Sequence, residues 1–231
     1  MLLFNLDLLA RDPLGFLRLM ALLVLALAAA LTIHEFSHAL AAYKLGDDTA
    51  RRLGRLSLNP VKHLDPLGAL LLFVAGFGWG KPVPVNQLNL RHGQRGMALV
   101  ALSGAASNIA LAAAVAIPVK LGILTWHSPF GFIFAARMGD FLADLIGLLV
   151  FYNLVLAVFN LIPIPPLDGF NVALGILPRD SARAFARIAR YGPVILIVLL
   201  AVGYLTRFNP LWEVMHPIID GFAVLFTGRR F

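Results

Sequence analysis

The sequence predicts an all-α polytopic membrane protein, and three observations support this fold class. About 60% of the 231 residues are apolar and only 13% are charged, whereas soluble domains are roughly 45–50% apolar and about 25% charged. The mean hydropathy is +0.84. Several long runs carry almost no charge, which suits the hydrocarbon core of a bilayer and not an aqueous surface. We therefore expect a chain that crosses the membrane several times.

The first two of about five to six predicted membrane segments are 17–42 and 67–80. The first is a continuous apolar run that leads into a polar motif without the cleavage-like break of a signal peptide. The second spans only 14 residues, about 21 Å as a helix, and ends in glycines. Since a bilayer core is roughly 30 Å thick, segment 67–80 is predicted to be a re-entrant half-helix or β-hairpin element.

The next two predicted segments, 97–119 and 142–162, are long enough to be full spans. Segment 97–119 is rich in alanine and carries Ser103, Gly104 and Ser107. Such small residues let neighbouring helices approach closely in a membrane. We therefore expect segment 97–119 to pack tightly against its neighbours.

The last predicted element is a helical hairpin formed by 193–206 and 211–227, which turns at an Asn-Pro pair. No internal repeat and no long soluble insertion interrupt the chain. The sequence therefore predicts one membrane domain, 1–231, with a core of about 17–170 and a C-terminal hairpin of about 191–228.

The basic residues predict the orientation. If 67–80 turns back, the basic loops 44–66 and 81–96 share one side with 179–190 and the two C-terminal arginines. Cytoplasmic loops are enriched in Lys and Arg, so we expect this side to face the cytoplasm in a multi-pass cell-membrane protein. The net charge of +7 then reflects topology and lipid contacts. No basic stripe with interleaved aromatics is present, so no nucleic-acid partner is expected.

A metal-binding motif lies inside the first segment: His34-Glu35-Phe36-Ser37-His38. Residues four apart share a helix face, so His34 and His38 can hold one zinc ion, while Glu35 can take a proton from the attacking water. Each charged group in a span costs on the order of 2.5–3.5 kcal/mol on insertion scales and is a functional candidate by default. The alternative is hydrogen bonding between helices without metal, which would need a matching set of partners.

A catalytic zinc also needs a third protein ligand and an open position. The end of segment 142–162 lies at the same predicted depth as the histidines, and three prolines follow it. They stop the helix, and the turn at Asp168-Gly169 can direct a carboxylate back towards the site. Asp168 is therefore the favoured third ligand, and a solvated turn aspartate is the alternative. With no cysteine in the chain, thiolate ligands, thiolate catalysis and disulfides are excluded.

With these residues the sequence resembles the site-2 proteases, which are intramembrane zinc metalloproteases. The matching motifs occur in the family's order: HEFSHAL at 34–40, Asn-Pro with His and Asp-Pro-Leu-Gly at 59–68, GWGKPVPVN at 78–86 and NLIPIPPLDG at 160–169. The chain departs from the family at 103–108, which lacks the proline-containing stretch of many relatives. It also lacks room for their PDZ insert.

The resemblance implies an activity and a set of roles. His34, His38 and Asp168 would bind one Zn²⁺ per chain, and Glu35 would be the catalytic base. The substrate would be a transmembrane or membrane-adjacent helix, cleaved near the cytosolic face in regulated intramembrane proteolysis. The partners implied are a transmembrane protein substrate and the lipid bilayer; an oligomer is compatible with the sequence.

The proline-valine alternation in GWGKPVPVN favours an extended edge, because it suits neither a helix nor a central strand. A helical substrate hides its amides, so cleavage requires local unwinding, and Val83 and Val85 on such an edge could hold the unwound segment as an added strand. The alternative is a stiff turn between two membrane pieces.

Several other polar residues have two interpretations. Asn108 and Asn160 could hydrogen-bond the substrate carbonyl or the oxyanion, or could bridge helices. His63 is interpreted as a loop or interfacial histidine and not as a ligand. Three residues share one face of the last helix, where an interfacial polar face is favoured over a second metal site: Glu213, His216 and Asp220.

Two rival functions remain open from the sequence alone. A metal transporter could use the same histidines, but it predicts ligands spread over several spans and no dedicated base. A non-catalytic membrane scaffold could retain the motif. A single glutamate between paired histidines favours the enzyme.

Overall fold

The computed structural model describes residues 6–75, 78–130, 141–206 and 208–231. All the regular secondary structure of these residues is helical, which confirms the predicted all-α class. Four stretches are long and apolar enough to cross a membrane: Pro13–Lys44, Gln94–Lys120, Phe141–Asn160 and Arg179–Leu205. The chain is therefore a multi-pass membrane protein.

Ten α-helices are assigned within the described residues. In chain order they are α1 (Leu6–Arg11), α2 (Pro13–Lys44), α3 (Thr49–Arg52), α4 (Pro66–Ala75), α5 (Gln94–Lys120), α6 (Phe141–Asn160), α7 (Asp168–Ile176), α8 (Arg179–Ala186), α9 (Gly192–Leu205) and α10 (Pro210–Thr227). A short 3₁₀ turn, Arg187–Tyr191, joins α8 to α9. The predicted segments 17–42, 97–119 and 142–162 thus correspond to α2, α5 and α6.

Helix α2 carries the HExxH motif. It begins after Asp12, whose side chain accepts a hydrogen bond from the Gly15 amide, and Pro13 occupies its first position. Both features are typical of helix starts. Its 32 residues extend over about 48 Å, which exceeds a hydrocarbon core of roughly 30 Å. Residues near the C-terminal end of α2 therefore lie within a few turns of the membrane surface.

Helix α5 packs against α2, α6 and α7 and is the central element of the fold. Its buried face is built mainly from glycine and alanine, among them Gly104, Ala105 and Ala112. These residues lack bulky side chains, so neighbouring backbones can approach closely. The structure thus agrees with the close packing expected for segment 97–119.

Helix α4 covers only ten residues, Pro66–Ala75, about 15 Å in length. It is too short to cross the bilayer. Residues 76–77 of predicted segment 67–80 lie outside the described residues, so the re-entrant path stays a prediction. One antiparallel bridge pairs Leu64 with Gly80, but the described residues form no β-hairpin strands there.

Helices α9 and α10 occupy the predicted C-terminal hairpin and contact each other. Helix α10 also packs against α5 and α6, where Met215 and Ile219 join a buried apolar cluster with Val150 and Leu154. Helix α9 is largely exposed, which suits a lipid-facing helix.

The end of the chain lies against the last residue of α5 and the residues that follow it. Lys120 Nζ donates to Leu225 O, and Trp126 Nε1 donates to Arg230 O at 3.1 Å. The prediction that the two C-terminal arginines share the side of the HExxH motif was therefore wrong.

A cluster of charged side chains around a buried aspartate lies at the end of the helix bundle opposite to the HExxH motif. Asp144 of α6 is fully buried, and its carboxylate lies 3.4 Å from Arg18 of α2 and 2.7 Å from Nδ1 of His127. Arg18 precedes His34 by about 24 Å along α2. Sequence analysis did not identify this cluster, because nothing in the pattern shows that these three residues meet.

Candidate active site

The structure brings the three predicted metal ligands together. His34 and His38 are buried on one face of α2, with ring centroids 4.5 Å apart and ring planes at 88°. Oδ2 of Asp168, the first residue of α7, lies 3.0 Å from Nε2 of each histidine. The three ligand atoms all lie within 4.8 Å of one another. The two 3.0 Å separations are close to the distance of about 3.3 Å expected between ligands of a tetrahedral zinc with bonds of about 2.0–2.1 Å.

The hydrogen bonds of the two rings leave the correct nitrogens available for a metal. Nδ1 of His38 lies 2.8 Å from the carbonyl oxygen of Val100, which can only accept, so Nδ1 carries the proton. Nδ1 of His34 lies 2.7 Å from Oδ1 of Asn108. The Nδ2 group of Asn108 donates to Ala30 O and to Asn153 Oδ1, so Oδ1 must accept from His34. With Nδ1 engaged in both rings, Nε2 is the nitrogen that would bind a metal, and in both rings it faces Asp168, so this donor set fits zinc.

Gly104 lets the two imidazoles lie directly against α5. A Cβ atom at this position would be 2.5 Å from Cε1 of His38 and 2.7 Å from Cε1 of His34. Real Cβ atoms do not make such contacts, so a larger residue would displace the rings. The sequence identifies Gly104 only as a small residue of a predicted span; its contact with His34 and His38 results from the packing of α5 on α2.

The turn before α7 fixes the position of Asp168. Helix α6 ends at Asn160, and the following prolines cannot continue it. The backbone of Leu161 then occupies the space that a Cβ on Gly169 would need. A glycine after Asp168 is therefore required for α7 to begin this close to the end of α6.

Glu35 contacts segment 81–85, the proline-valine stretch predicted to be extended, which has no helix or strand assigned. The Val83 amide donates a hydrogen bond of 3.1 Å to Oε2 of Glu35, and Glu35 is buried. A cavity of about 170 Å³ opens here and has room for a few water molecules. Its walls combine the predicted catalytic and substrate-contacting groups: His34, Glu35, His38, Val83, Val85, Asn160 and Asp168.

The two asparagines named from the sequence occupy different positions. Asn108 is fully buried and is absent from the cavity wall; its hydrogen bonds to α2 and α6 agree with the helix-bridging interpretation. Asn160 lines the cavity, and its Nδ2 group donates to Leu156 O. His63 lies in the turn after the 3₁₀ helix Pro60–Lys62 and outside the ligand cluster, and it is fully buried with Nε2 2.6 Å from Ser57 O.

The polar residues of α10 do not form a second cluster of metal ligands within the described chain. Oδ1 of Asp220 accepts from the Phe231 amide at 3.0 Å. The ring of His216 packs on Trp212 with centroids 5.3 Å apart, and Glu213 is exposed. The three side chains therefore contact different neighbours and do not converge on one point, as expected of an interfacial polar face.

Asp47 connects the end of α2 to the region that follows the extended segment. Its buried carboxylate accepts hydrogen bonds from the Asn86 amide (2.7 Å), from Asn89 Nδ2 (3.0 Å) and from Thr49. Burial acts to raise the pKa of Asp47, but the hydrogen bonds from Thr49, Asn89 and Asn86 outweigh it and lower this pKa below the usual value. The charged form of Asp47 therefore holds the 86–89 turn against α2.

Comparisons with known proteins identify the family of this chain. The model of Peptidase family M50 matches residues 122–201. The chain is 36% identical over 214 residues to YwhC of Bacillus subtilis, with 92% of this chain and 94% of YwhC covered. It is 31% identical over 213 residues to Rip2 of Mycolicibacterium smegmatis, with 90% of this chain and 76% of Rip2 covered. Rip2 of Mycobacterium tuberculosis is 30% identical over 194 residues, with 81% and 70% covered.

All three relatives carry names that describe them as zinc metalloproteases. No solved structure matches the chain. The match to YwhC covers nearly the whole of both proteins. This chain belongs to peptidase family M50, the site-2 proteases, and is a membrane-embedded zinc metalloprotease.

Proposed function

We propose that the protein is an intramembrane endopeptidase that cleaves transmembrane substrate helices near the cytosolic face, as in regulated intramembrane proteolysis. One observation carries this proposal: His34 and His38 on the membrane-spanning helix α2 meet Asp168 of α7 in a cluster that lies beside segment 81–85. His34 and His38 precede the C-terminal end of α2 by about 15 and 9 Å. Basic residues follow that end, which supports a cytoplasmic orientation.

The proposed chemistry assigns a separate role to each residue. His34, His38 and Asp168 hold one zinc per chain, which when bound supplies a Lewis acid for water and for the peptide carbonyl. Glu35 takes a proton from the attacking water and passes it to the leaving amine. Asn108 and the Val100 carbonyl orient the two imidazoles. Such orienting partners raise the basicity of a ligating histidine and fix its tautomer.

The extended segment 81–85 supports a substrate-binding role for Val83 and Val85. Both valines line the cavity next to Glu35. Pro82 and Pro84 remove two amide donors and prevent helix formation, so the segment keeps an extended backbone to which an unwound substrate can pair. Asn160 lines the same cavity and would hydrogen-bond the substrate backbone. These contacts would hold the substrate while the peptide bond is cleaved.

Glu35→Gln tests the proposed function. The variant keeps the size of the side chain but lacks a basic carboxylate, so cleavage should fall by at least about 100-fold. Zinc content should stay near one per chain, because no ligand is removed. The measurement uses a synthetic single-span peptide, rich in Ala and Gly, in phospholipid vesicles, with products identified by mass spectrometry.

Ligand variants provide the matched comparison. His34→Ala, His38→Ala and Asp168→Ala should lose both zinc and cleavage, because three protein ligands are needed for a stable site. Wild-type cleavage by Glu35→Gln would contradict the assignment of the base. Full zinc content in Asp168→Ala would contradict the proposed ligand set. The absence of a peptide product with the wild-type enzyme would favour the non-catalytic scaffold.

A further inference from the structure

Arg55 is a buried arginine, only 6% exposed, outside the proposed zinc and cleavage machinery. It lies in the loop that follows α3, where its own amide donates to Ala50 O at 2.8 Å. Its side chain does not turn to solvent as most arginines do. A buried guanidinium needs hydrogen-bond acceptors to offset its desolvation. The identity of these acceptors therefore indicates the role of Arg55.

The partners of Arg55 are two backbone carbonyls of the extended segment. Nη2 donates to Lys81 O and lies 3.3 Å from Pro82 O. No hydrogen-bond partner for Nε, and no ion pair of Arg55 with a carboxylate, is found among the residues that the structure describes. The polar contacts of this buried charge are thus directed at 81–82.

Arg55 and Glu35 hold the same peptide group from opposite sides. In a trans peptide the carbonyl and the amide point in opposite directions. The Pro82 carbonyl contacts Arg55, while the Val83 amide donates to Glu35. The rotation of this peptide plane is therefore set by one cation and one carboxylate, and that carboxylate is the proposed base.

The start of the segment has independent anchors. The Lys81 amide donates to His63 O at 2.8 Å, and Leu64 pairs with Gly80. These backbone contacts do not involve the side chain of Arg55. Loss of the guanidinium should therefore leave the segment attached to the fold but free the Pro82–Val83 peptide to rotate.

We propose that Arg55 is a positioning residue for peptide-bond cleavage: through the carbonyls of Lys81 and Pro82 it aligns the extended segment with Glu35 and sets the register of the substrate. The inference rests on the proposed function, since it assumes that 81–85 holds an unwound substrate. A substrate strand that pairs with a rotated or shifted segment would present a different bond to the catalytic groups. A change in the position of cleavage is therefore the specific consequence.

The test compares Arg55→Met and Arg55→Lys with Arg52→Met in purified, zinc-loaded enzyme. Met removes the donors but keeps an aliphatic chain of similar length, whereas Lys keeps the charge and donors without the planar fork. Arg52 is an exposed arginine of α3 that pairs with Asp48 and forms no hydrogen bond with 81–85 within the described residues, so its variant controls for the loss of one positive charge. The readouts are zinc per chain, kcat and the position of the cleaved bond in the single-span peptide.

For Arg55→Met we expect unchanged zinc, a fall in kcat of about 10- to 100-fold, as for a misplacement near 1 Å, and products cut at neighbouring bonds. Arg55→Lys should recover part of the rate and of the wild-type position. Arg52→Met should match the wild type. If Arg55→Met does not fold, Arg55→Lys decides by the same readouts.

Cleavage of the same single bond at the wild-type rate by the folded variant would overturn the inference. So would a fall in rate without any change of position, because a merely less stable enzyme behaves in that way. These outcomes presuppose a wild-type enzyme that cleaves the peptide. A wild type that binds zinc but yields no product would instead contradict the proposed function.

Discussion

At the scale of single residues, the candidate site depends on the lack of a side chain at Gly104 as well as on the side chains of the metal ligands. Gly104 leaves the space in which both imidazoles pack, and Asn108 and Val100 O hold the rings from the same helix. Helix α5 therefore supplies the surface that orients His34 and His38. The metal-binding geometry belongs to the contact between α2 and α5 and not to α2 alone.

Gly104→Ala tests this contact. The added methyl group would lie 2.5 Å from Cε1 of His38, and the ring cannot retreat without breaking its hydrogen bond to Val100 O. We expect a displacement of the order of 1 Å and a loss of cleavage of about 100-fold, with weakened zinc binding measured by chelator competition.

Gly221→Ala is the matched control, because a Cβ on Gly221 of α10 meets no atom within 4 Å. That variant should keep full activity and gain roughly 0.5–1 kcal/mol from helix propensity. Equal activity and zinc affinity in Gly104→Ala and the wild type would show that the rings do not depend on this packing.

At the scale of elements, the sequence located the helices better than it located their contacts. Predicted segments 17–42 and 97–119 lie within α2 and α5, because a long apolar run between polar residues specifies a span by length and composition. Asp168 could be proposed because the prolines before it stop a helix at the depth of the histidines. Both inferences need only local sequence.

The contacts could not be predicted in this way. Helices α2 and α5 are apolar on all faces, so no amphipathic stripe shows which residues face each other. The proximity of Gly104 to His38, and of Arg55 to the 81–82 carbonyls, depends on tertiary packing between residues far apart in sequence. The Arg18–Asp144–His127 cluster was missed for the same reason.

Asp47 gives a prediction for the loop elements that border the site. Its folded-state pKa is lowered, so its carboxylate stabilises the fold above the ordinary pKa of an aspartate, and this stabilisation is lost as the pH falls through the lower folded-state value. In Asp47→Asn an NH₂ group takes the place of Oδ2, which accepts the hydrogen bond of the Asn86 amide. Two hydrogen-bond donors then face each other. We expect a loss of about 2 kcal/mol near neutral pH, as for hydrogen bonds to a charged group.

The measurement is thermal unfolding in detergent micelles between neutral pH and pH 3. The difference between the wild type and Asp47→Asn should narrow as the pH falls below about 4. Asp48→Asn is the control, since Asp48 forms an exposed pair with Arg52 that is worth little. A difference between wild type and Asp47→Asn that stays constant over this pH range would contradict the role of the Asp47 charge.

At the scale of the whole molecule, the helices place the two polar clusters at opposite ends of the bundle. The C-terminal end of α2, the N-terminal part of α5 and the turn after α6 meet at the histidines. The N-terminal part of α2, the start of α6 and His127 meet at Asp144. If the basic loops mark the cytoplasmic side, the zinc site lies near the cytoplasm and the Asp144 cluster lies near the other face.

Single-cysteine labelling tests this orientation directly, because the natural chain contains no cysteine. Exposed positions are chosen on each predicted side: Arg52→Cys, Arg91→Cys and Arg187→Cys for the cytoplasm, and Thr125→Cys for the opposite face. A membrane-impermeant maleimide should label Thr125→Cys in intact cells. It should label the other three variants only after the membrane is permeabilised.

Arg52 and Arg91 carry the decisive comparison, because they flank segment 67–80. Their labelling from the same side requires that this segment turns back within the membrane, as the ten-residue length of α4 suggests. Labelling from opposite sides would mean a full crossing and would reverse the orientation of α5 relative to α2. The histidines of α2 and the aspartate of α7 would then have to reach the zinc site from opposite faces of the membrane. The 3.0 Å contacts between Asp168 and both histidines do not allow this arrangement.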